Sequence, residues 1–249
     1  MSEEMRVRLY CEDCQVALKE LRAKSVDLII TDPPYGISYR SNRQIIDRKR
    51  SFEREGNFVV REHYFNTIDN DNNLPTDWLV EAYRVLKDDA AIYIFAHWSK
   101  WGELQSAAQV AGFTVKNMIV LHKSNHGMGS TTLQYAPKHE LVLFASKGTH
   151  ILLNPDGRKS DIWNVPVKFS GSHKFHPNEK PASWIQYAII NSSLEDQVIL
   201  DPFMGSGSFG IASIKSKRQF IGMESNVQYF DIAKARIDAA INETDVNLF

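Results

Sequence analysis

A six-residue apolar run cut short by two prolines constrains this chain more than any other feature. Val26-Asp27-Leu28-Ile29-Ile30-Thr31 ends at Asp32-Pro33-Pro34-Tyr35. A short run rich in Ile and Leu reads as a strand buried on both faces, the mark of a parallel sheet in an α/β domain. Its C-terminal end is the edge at which open α/β sheets bind ligands. Each proline holds the residue before it extended, so Asp32 and Pro33 present a preset backbone. Neither proline has an N–H to donate, which leaves a loop rich in acceptors.

That loop suits an exocyclic aromatic amine. Such a group has two hydrogens to donate and a ring that stacks, and the loop offers a carboxylate (Asp32), a bare carbonyl (Pro33) and a flat face (Tyr35). The amine of adenine is a poor nucleophile because its lone pair is delocalised into the ring. Accepting its hydrogens favours a pyramidal nitrogen and frees that pair. The plainer reading is a Pro-Pro turn that ends a strand, with Asp32 as a turn residue.

A second motif lies near the other end. Val198-Ile199-Leu200-Asp201-Pro202-Phe203-Met204-Gly205-Ser206-Gly207-Ser208-Phe209-Gly210 reads as strand, glycine turn and helix, with glycines in the G-x-G-x-x-G pattern. The next strand, Gln219 to Met223, ends at Glu224, about 20 residues on, where a carboxylate suits ribose hydroxyls. Asp201 at the first strand end would repel a pyrophosphate but suits the ammonium of a methionine. One further helix, Val227 to Asn242, leaves no second nucleotide-binding half. Acidic residues at both strand ends therefore point to S-adenosyl-L-methionine rather than NAD.

Together these segments resemble the amino DNA methyltransferases that act on adenine N6. Asp32-Pro33-Pro34-Tyr35 is similar to that family's catalytic motif, and Asp201 to Gly207, with Phe203, Gly205 and Gly207, to its methionine-binding motif. His176-Pro177-Asn178-Glu179-Lys180-Pro181 resembles its His-Pro-x-x-Lys-Pro element, so the resemblance places His176 and Lys180 at the cofactor. Cys11-Glu12-Asp13-Cys14 resembles the segment that meets the cofactor's adenine, with Glu12 where the family has glycine; Asp13 is either that ligand or the cap of a helix starting at Cys14. The catalytic motif precedes the cofactor motif, the circularly permuted order of the β class. The resemblance implies a single Rossmann-like, S-adenosylmethionine-dependent methyltransferase domain over residues 1–249, with a seven-stranded sheet that has one reversed edge strand.

The rest of the chain is consistent with that reading. A length of 249 residues fits one α/β domain. A net charge of −1 is low for a DNA binder, so cations must be concentrated locally. They are: Arg40, Arg43, Arg48, Lys49, Arg50, Arg54 and Arg61 stand against Asp47, Glu53 and Glu55, in a basic insertion over residues 38–75 beside the catalytic loop. Either it contacts phosphates or it is a solvated loop. The stretch 149–175 is a candidate target-recognition segment, with Arg158, Lys159, Lys168 and Lys174 for phosphates and Asn154, Asn164 and Ser170 for base edges. Trp163 and Phe169 are expected to pin that segment to the core. Cys11 and Cys14 form a lone C-x-x-C with no partner pair, which argues against zinc. With neither a signal peptide nor a long apolar run, a cytoplasmic protein is expected.

Strand and helix patterns alternate, which implies a mostly parallel sheet with helices on both faces. Strands are expected at 6–10, 26–31, 90–95, 115–121, 140–145, 198–201 and 219–223, the fourth and fifth as an antiparallel hairpin. Helices are expected at 14–23, 77–86, 102–111, 183–192 and 227–242. The partner is duplex DNA, whose target base must rotate out of the stack to meet a buried cofactor. Cytosine N4 methylation, RNA adenine methylation and a non-catalytic DNA-binding module remain as rivals. A cognate restriction enzyme, and monomer or homodimer, are left open.

Overall fold

The computed structural model describes residues 7–36, 74–123, 135, 137–155, 157–164, 180 and 182–246. The basic insertion, with Arg40, Arg43, Arg48, Lys49 and Arg50, lies outside the described residues, as do His176 and Phe169.

Eight strands make one sheet. They are β1 (Val7–Tyr10), β2 (Val26–Thr31), β3 (Leu86–Ala96), β4 (Thr114–His122), β5 (His139–Lys147), β6 (Ile162–Asn164), β7 (Val198–Asp201) and β8 (Gln219–Met223), in the order β1-β8-β7-β2-β3-β5-β4-β6. All run parallel except β5, which pairs antiparallel with β3 on one side and β4 on the other. Two expectations change here. The sheet has eight strands rather than seven, because Ile162–Asn164 adds an edge beside β4. The reversed strand β5 is internal rather than at an edge, because β4 pairs on its far side from β3, and its first residues reach the edge where its parallel neighbours end.

Among the described residues six α-helices cover the two faces: α1 (Cys14–Glu20), α2 (Trp78–Val85), α3 (Trp101–Val110), α4 (Ala182–Ser192), α5 (Ser208–Lys215) and α6 (Val227–Val246). Alternation along β2 divides the core in two. Ile29 packs with Leu18, Trp78, Leu79 and Leu104 under α1, α2 and α3. Leu28 and Ile30 face the other way, with Trp184, Ile185, Phe209 and Ile237 of α4, α5 and α6. Every residue of β2 is buried, as a strand covered on both faces requires.

Local chemistry sets the boundaries. Helix α1 stops at Glu20, short of Ala23, because Arg84 of α2 reaches across and donates to the carbonyls of Leu18 (2.8 Å) and Leu21 (2.9 Å). Those carbonyls lie at the helix end, where the Leu18 carbonyl otherwise accepts just the Leu21 N–H at 3.1 Å among the described residues. Lys147 serves α2 similarly, donating to the carbonyls of Tyr83 (2.7 Å) and Leu86 (2.8 Å). Strand β3 begins four residues earlier than its apolar pattern, since Val26 already pairs with Leu86. Trp163 of β6 is buried, with its ring 4.7 Å from that of Tyr187, so it pins its segment to the core. Among the described residues no helix is long and apolar enough to cross a membrane, and no cluster of His, Cys, Asp or Glu suits a metal ion.

Candidate active site

Strands β2 and β7 lie side by side and parallel, with Ile29 opposite Leu200. Their C-terminal ends therefore emerge together, and with them the Asp-Pro-Pro-Tyr loop and the glycine turn. The join is a hydrogen bond: Thr31, the last residue of β2, donates its hydroxyl to Asp201 Oδ1 at 2.6 Å. Residues 170 positions apart thus meet at the edge that open α/β sheets use for ligands.

The glycine turn closes on this edge. Asp201 is fully buried; its Oδ1 also accepts the Phe203 N–H at 3.0 Å, whereas Oδ2 has no hydrogen-bond partner among the described residues. Burial pushes its carboxyl up to about 7, against the pull of Thr31 and the Phe203 N–H. A buried acceptor left unpaired is costly and fits an incoming cationic donor. Gly205 has φ +51° and a Cβ there would meet nothing within 4 Å, so the backbone is bare toward open space. Gly207 has φ +83° and a Cβ would lie 3.1 Å from Ala233, so only glycine lets α5 start so close to α6. Glu224, at the end of β8, accepts from the N–H groups of Gly205 (3.0 Å) and Asn226 (2.8 Å), and burial raises its pKa. Phe203 sets its ring edge-on to Trp78 at 5.3 Å.

These donors and acceptors fit S-adenosyl-L-methionine. The orphaned Asp201 oxygen matches its ammonium, the bare Gly205 backbone leaves room for it, and Glu224 stands one strand over, where ribose hydroxyls would lie. Asp13 stands three residues past β1, beside β8, and caps α1 by accepting the Gln15 N–H at 2.7 Å. Helix capping is thus the role seen for it.

On the neighbouring loop, Tyr35 donates its hydroxyl to Asp32 Oδ1 at 2.5 Å, and Lys180 Nζ lies 2.9 Å from both Asp32 Oδ2 and the Tyr35 hydroxyl. Lys180 is buried and thus meets the catalytic-motif residues. It also stands 3.2 Å from Glu140 Oε2, and Glu140 Oε1 pairs with Lys123. Burial alone would raise the Glu140 carboxyl, but Lys180 and Lys123 hold it down at about 2. Burial would lower Lys180, yet Asp32 and Glu140 hold its pKa well above the usual ammonium range. Lys180 is therefore a fixed cation and unsuited to act as a base. Tyr35 is held protonated, its pKa raised by burial and by Asp32. Pro33 is buried, and the ring of Tyr35 stands 6.3 Å from that of His97, next to exposed Trp98.

Glu140, Thr31 and His97 are absent from the residues singled out by sequence. Glu140 opens the apolar run of β5, and a lone carboxylate heading such a strand is the one signal that would have marked it. Arg158 and Lys159 precede β6, which runs parallel to β4. The chain leaves β5 at the far end of the sheet, where the Leu153 N–H bonds to the carbonyl of Asn191, and by Asp161 it is back at the Asp32 edge, its carbonyl accepting the Val120 N–H near the end of β4. Strand β6 continues along that edge, and Asn164 Oδ1 lies 2.9 Å from His122 Nδ1.

Known proteins share both the sequence and the arrangement. A family model described as DNA methylase matches residues 26–235. The chain is 31% identical to a putative methylase, YubD, of Escherichia coli over 91% of its own length and 88% of the relative's. It is 28% identical to the type II methyltransferase M.HpaI of Haemophilus parainfluenzae, covering 97% of this chain and 77% of that one. In structure it resembles the complex of M1.HpyAVI with S-adenosylmethionine (TM-score 0.68, 23% identity, 92% and 99% of the two chains). It resembles the cytosine-N4-specific PvuII DNA methyltransferase about equally (TM-score 0.66, 15% identity, 95% and 92%). With most of its length matched, the chain belongs to the N6/N4 DNA methylase family, which transfers a methyl group from S-adenosyl-L-methionine to an exocyclic base amine.

Proposed function

We propose that this enzyme methylates N6 of adenine in duplex DNA at a specific site, after rotating the target base out of the helix. The single observation that carries the reading is Asp32, a carboxylate at the edge of the sheet between Tyr35 and the cofactor turn. A full negative charge is the strongest acceptor for an amine hydrogen that gains acidity as the nitrogen becomes positive. Asp32 and the Pro33 carbonyl take the two amine hydrogens, and the Tyr35 ring stacks on the base. When bound, S-adenosyl-L-methionine supplies the electrophilic methyl. Asp201 holds its ammonium, Glu224 its ribose, and Gly205 and Gly207 the close backbone. His176, outside the described residues, closes the cofactor site in this reading.

The order of the motifs, catalytic before cofactor, supports the permuted β class. The basic residues Arg40, Arg43, Arg48, Lys49 and Arg50 follow the catalytic loop directly and serve DNA phosphates. Arg158 and Lys159, just before β6, are the second basic group offered for phosphates. Two relatives are named type II methyltransferases, which makes a cognate restriction enzyme the natural partner. The cytosine-N4 reading is the competitor, given the PvuII likeness.

Nucleoside analysis decides between them. Unmethylated bacterial DNA is incubated with the protein and S-adenosyl-L-methionine, digested to nucleosides and resolved by mass. N6-methyldeoxyadenosine is expected. N4-methyldeoxycytidine alone would overturn the adenine assignment.

A further inference from the structure

Asp32 meets two donors as it stands. Its Oδ1 accepts the Tyr35 hydroxyl at 2.5 Å and its Oδ2 is held by Lys180 Nζ at 2.9 Å. Each oxygen keeps a second lone pair for an amine hydrogen, but the ammonium offsets much of the negative charge that hydrogen would meet. Only the ammonium has another carboxylate within reach, Glu140 Oε2 at 3.2 Å.

Glu140 reaches the site because of the sheet's one reversal. It is the second residue of β5, whose start lies at the edge where β3 ends, with Leu141 opposite Ala96. Its second oxygen is anchored by Lys123, at the end of β4 beyond the pair of His122 with His139. Four alternating charges thus form a chain: Asp32, Lys180, Glu140, Lys123. Two carboxylates flank one buried ammonium, and sliding the ammonium from one to the other moves no net charge. A buried ammonium with nowhere else to pair would stay locked on Asp32.

We propose that Glu140 is a positioning residue that draws the Lys180 ammonium off Asp32 Oδ2 as the substrate amine enters, so that this oxygen meets the amine hydrogen with its full charge. The proposal rests on the reading of Asp32 as the amine acceptor. Lys123 holds Glu140 in place and ionised, so the receiving carboxylate is already charged when the base arrives. The rings of Tyr35 and Phe95, 5.4 and 5.3 Å from Nζ, shield the ammonium along its path.

The test is single-turnover transfer of a labelled methyl group to unmethylated bacterial genomic DNA at saturating S-adenosyl-L-methionine. Cofactor affinity is measured alongside by calorimetry. Glu140→Gln should lower the rate on the order of a hundredfold while cofactor affinity stays within about twofold. Glu140→Asp, which keeps the carboxylate, should recover part of the rate. Unchanged turnover in Glu140→Gln, parallel loss of cofactor binding, or no recovery in Glu140→Asp would each overturn the proposal. If the unmodified protein transfers no methyl to DNA, the substrate reading fails first, and this inference with it.

Discussion

Asp201 holds the sharpest contrast between folding and function at the level of a single side chain. It is fully buried, one oxygen is unpaired, and its carboxyl titrates at about 7 instead of the usual carboxylate range. A carboxyl whose folded pKa is raised gives stability that is complete below its unfolded pKa and is lost as pH rises through the folded value. In the cofactor-free protein, ionising Asp201 between pH 6 and 8 should cost about 1 kcal/mol. Thermal melts should show that loss relative to Asp201→Asn, which lacks the titration. Cofactor affinity should run the other way, strengthening as pH climbs through 7 because the ammonium needs the anion. Calorimetric titrations at pH 6 and 8 check this; affinity independent of pH would remove Asp201 from the cofactor site. Glu140 has the opposite sign. Held down at about 2, it contributes stability above the ordinary glutamate pKa and loses it only as pH falls through that low value.

At the scale of elements, the glycine turn stores the most specific information. Gly207 combines φ +83° with a Cβ position 3.1 Å from Ala233, so Gly207→Ala should destabilise by about 1–3 kcal/mol. Urea denaturation measures the loss, and cofactor affinity should weaken with it as α5 is pushed off α6. This turn was legible in the sequence because glycine spacing reports backbone geometry directly. So was β2, whose unbroken apolar run admits little but a strand buried on both faces. Strand β6 was not legible. Three residues carry no period, and Ile162-Trp163-Asn164 pairs only because Trp163 finds a pocket beside Tyr93 and Tyr187. The early end of α1 was hidden for a related reason, since it depends on Arg84, over 60 residues away. Glu140 left only a faint local signal, a carboxylate at the head of an apolar run, because its partners are Lys123 just past β4 and Lys180 before α4. Tertiary charge pairing has no period of its own.

Over the whole molecule, a net charge of −1 leaves DNA binding to the distribution of cations. Two basic groups compete for that role: one directly follows the Tyr35 loop in the sequence, the other directly precedes β6. Replacing Arg48, Lys49 and Arg50 with alanine should weaken duplex binding and reduce the salt slope of log K by about 3 if each meets a phosphate. Replacing Arg158 and Lys159 should reduce that slope by about 2 if that pair meets phosphates instead. Fluorescence anisotropy over a salt series separates the two outcomes.

The sheet order accounts for the site itself. Because β7 pairs with β2, motifs from the two ends of the chain are joined through Thr31 and Asp201. Cofactor binding and amine activation are then neighbouring but separate tasks, one on each strand end. Asp32→Ala measured in both assays tests this most directly. It should bind S-adenosyl-L-methionine within about twofold of the unmodified protein while its methyl transfer to DNA falls at least a hundredfold. Methyl transfer that survives in Asp32→Ala, or cofactor binding that disappears with it, would contradict the division of labour between the two strand ends.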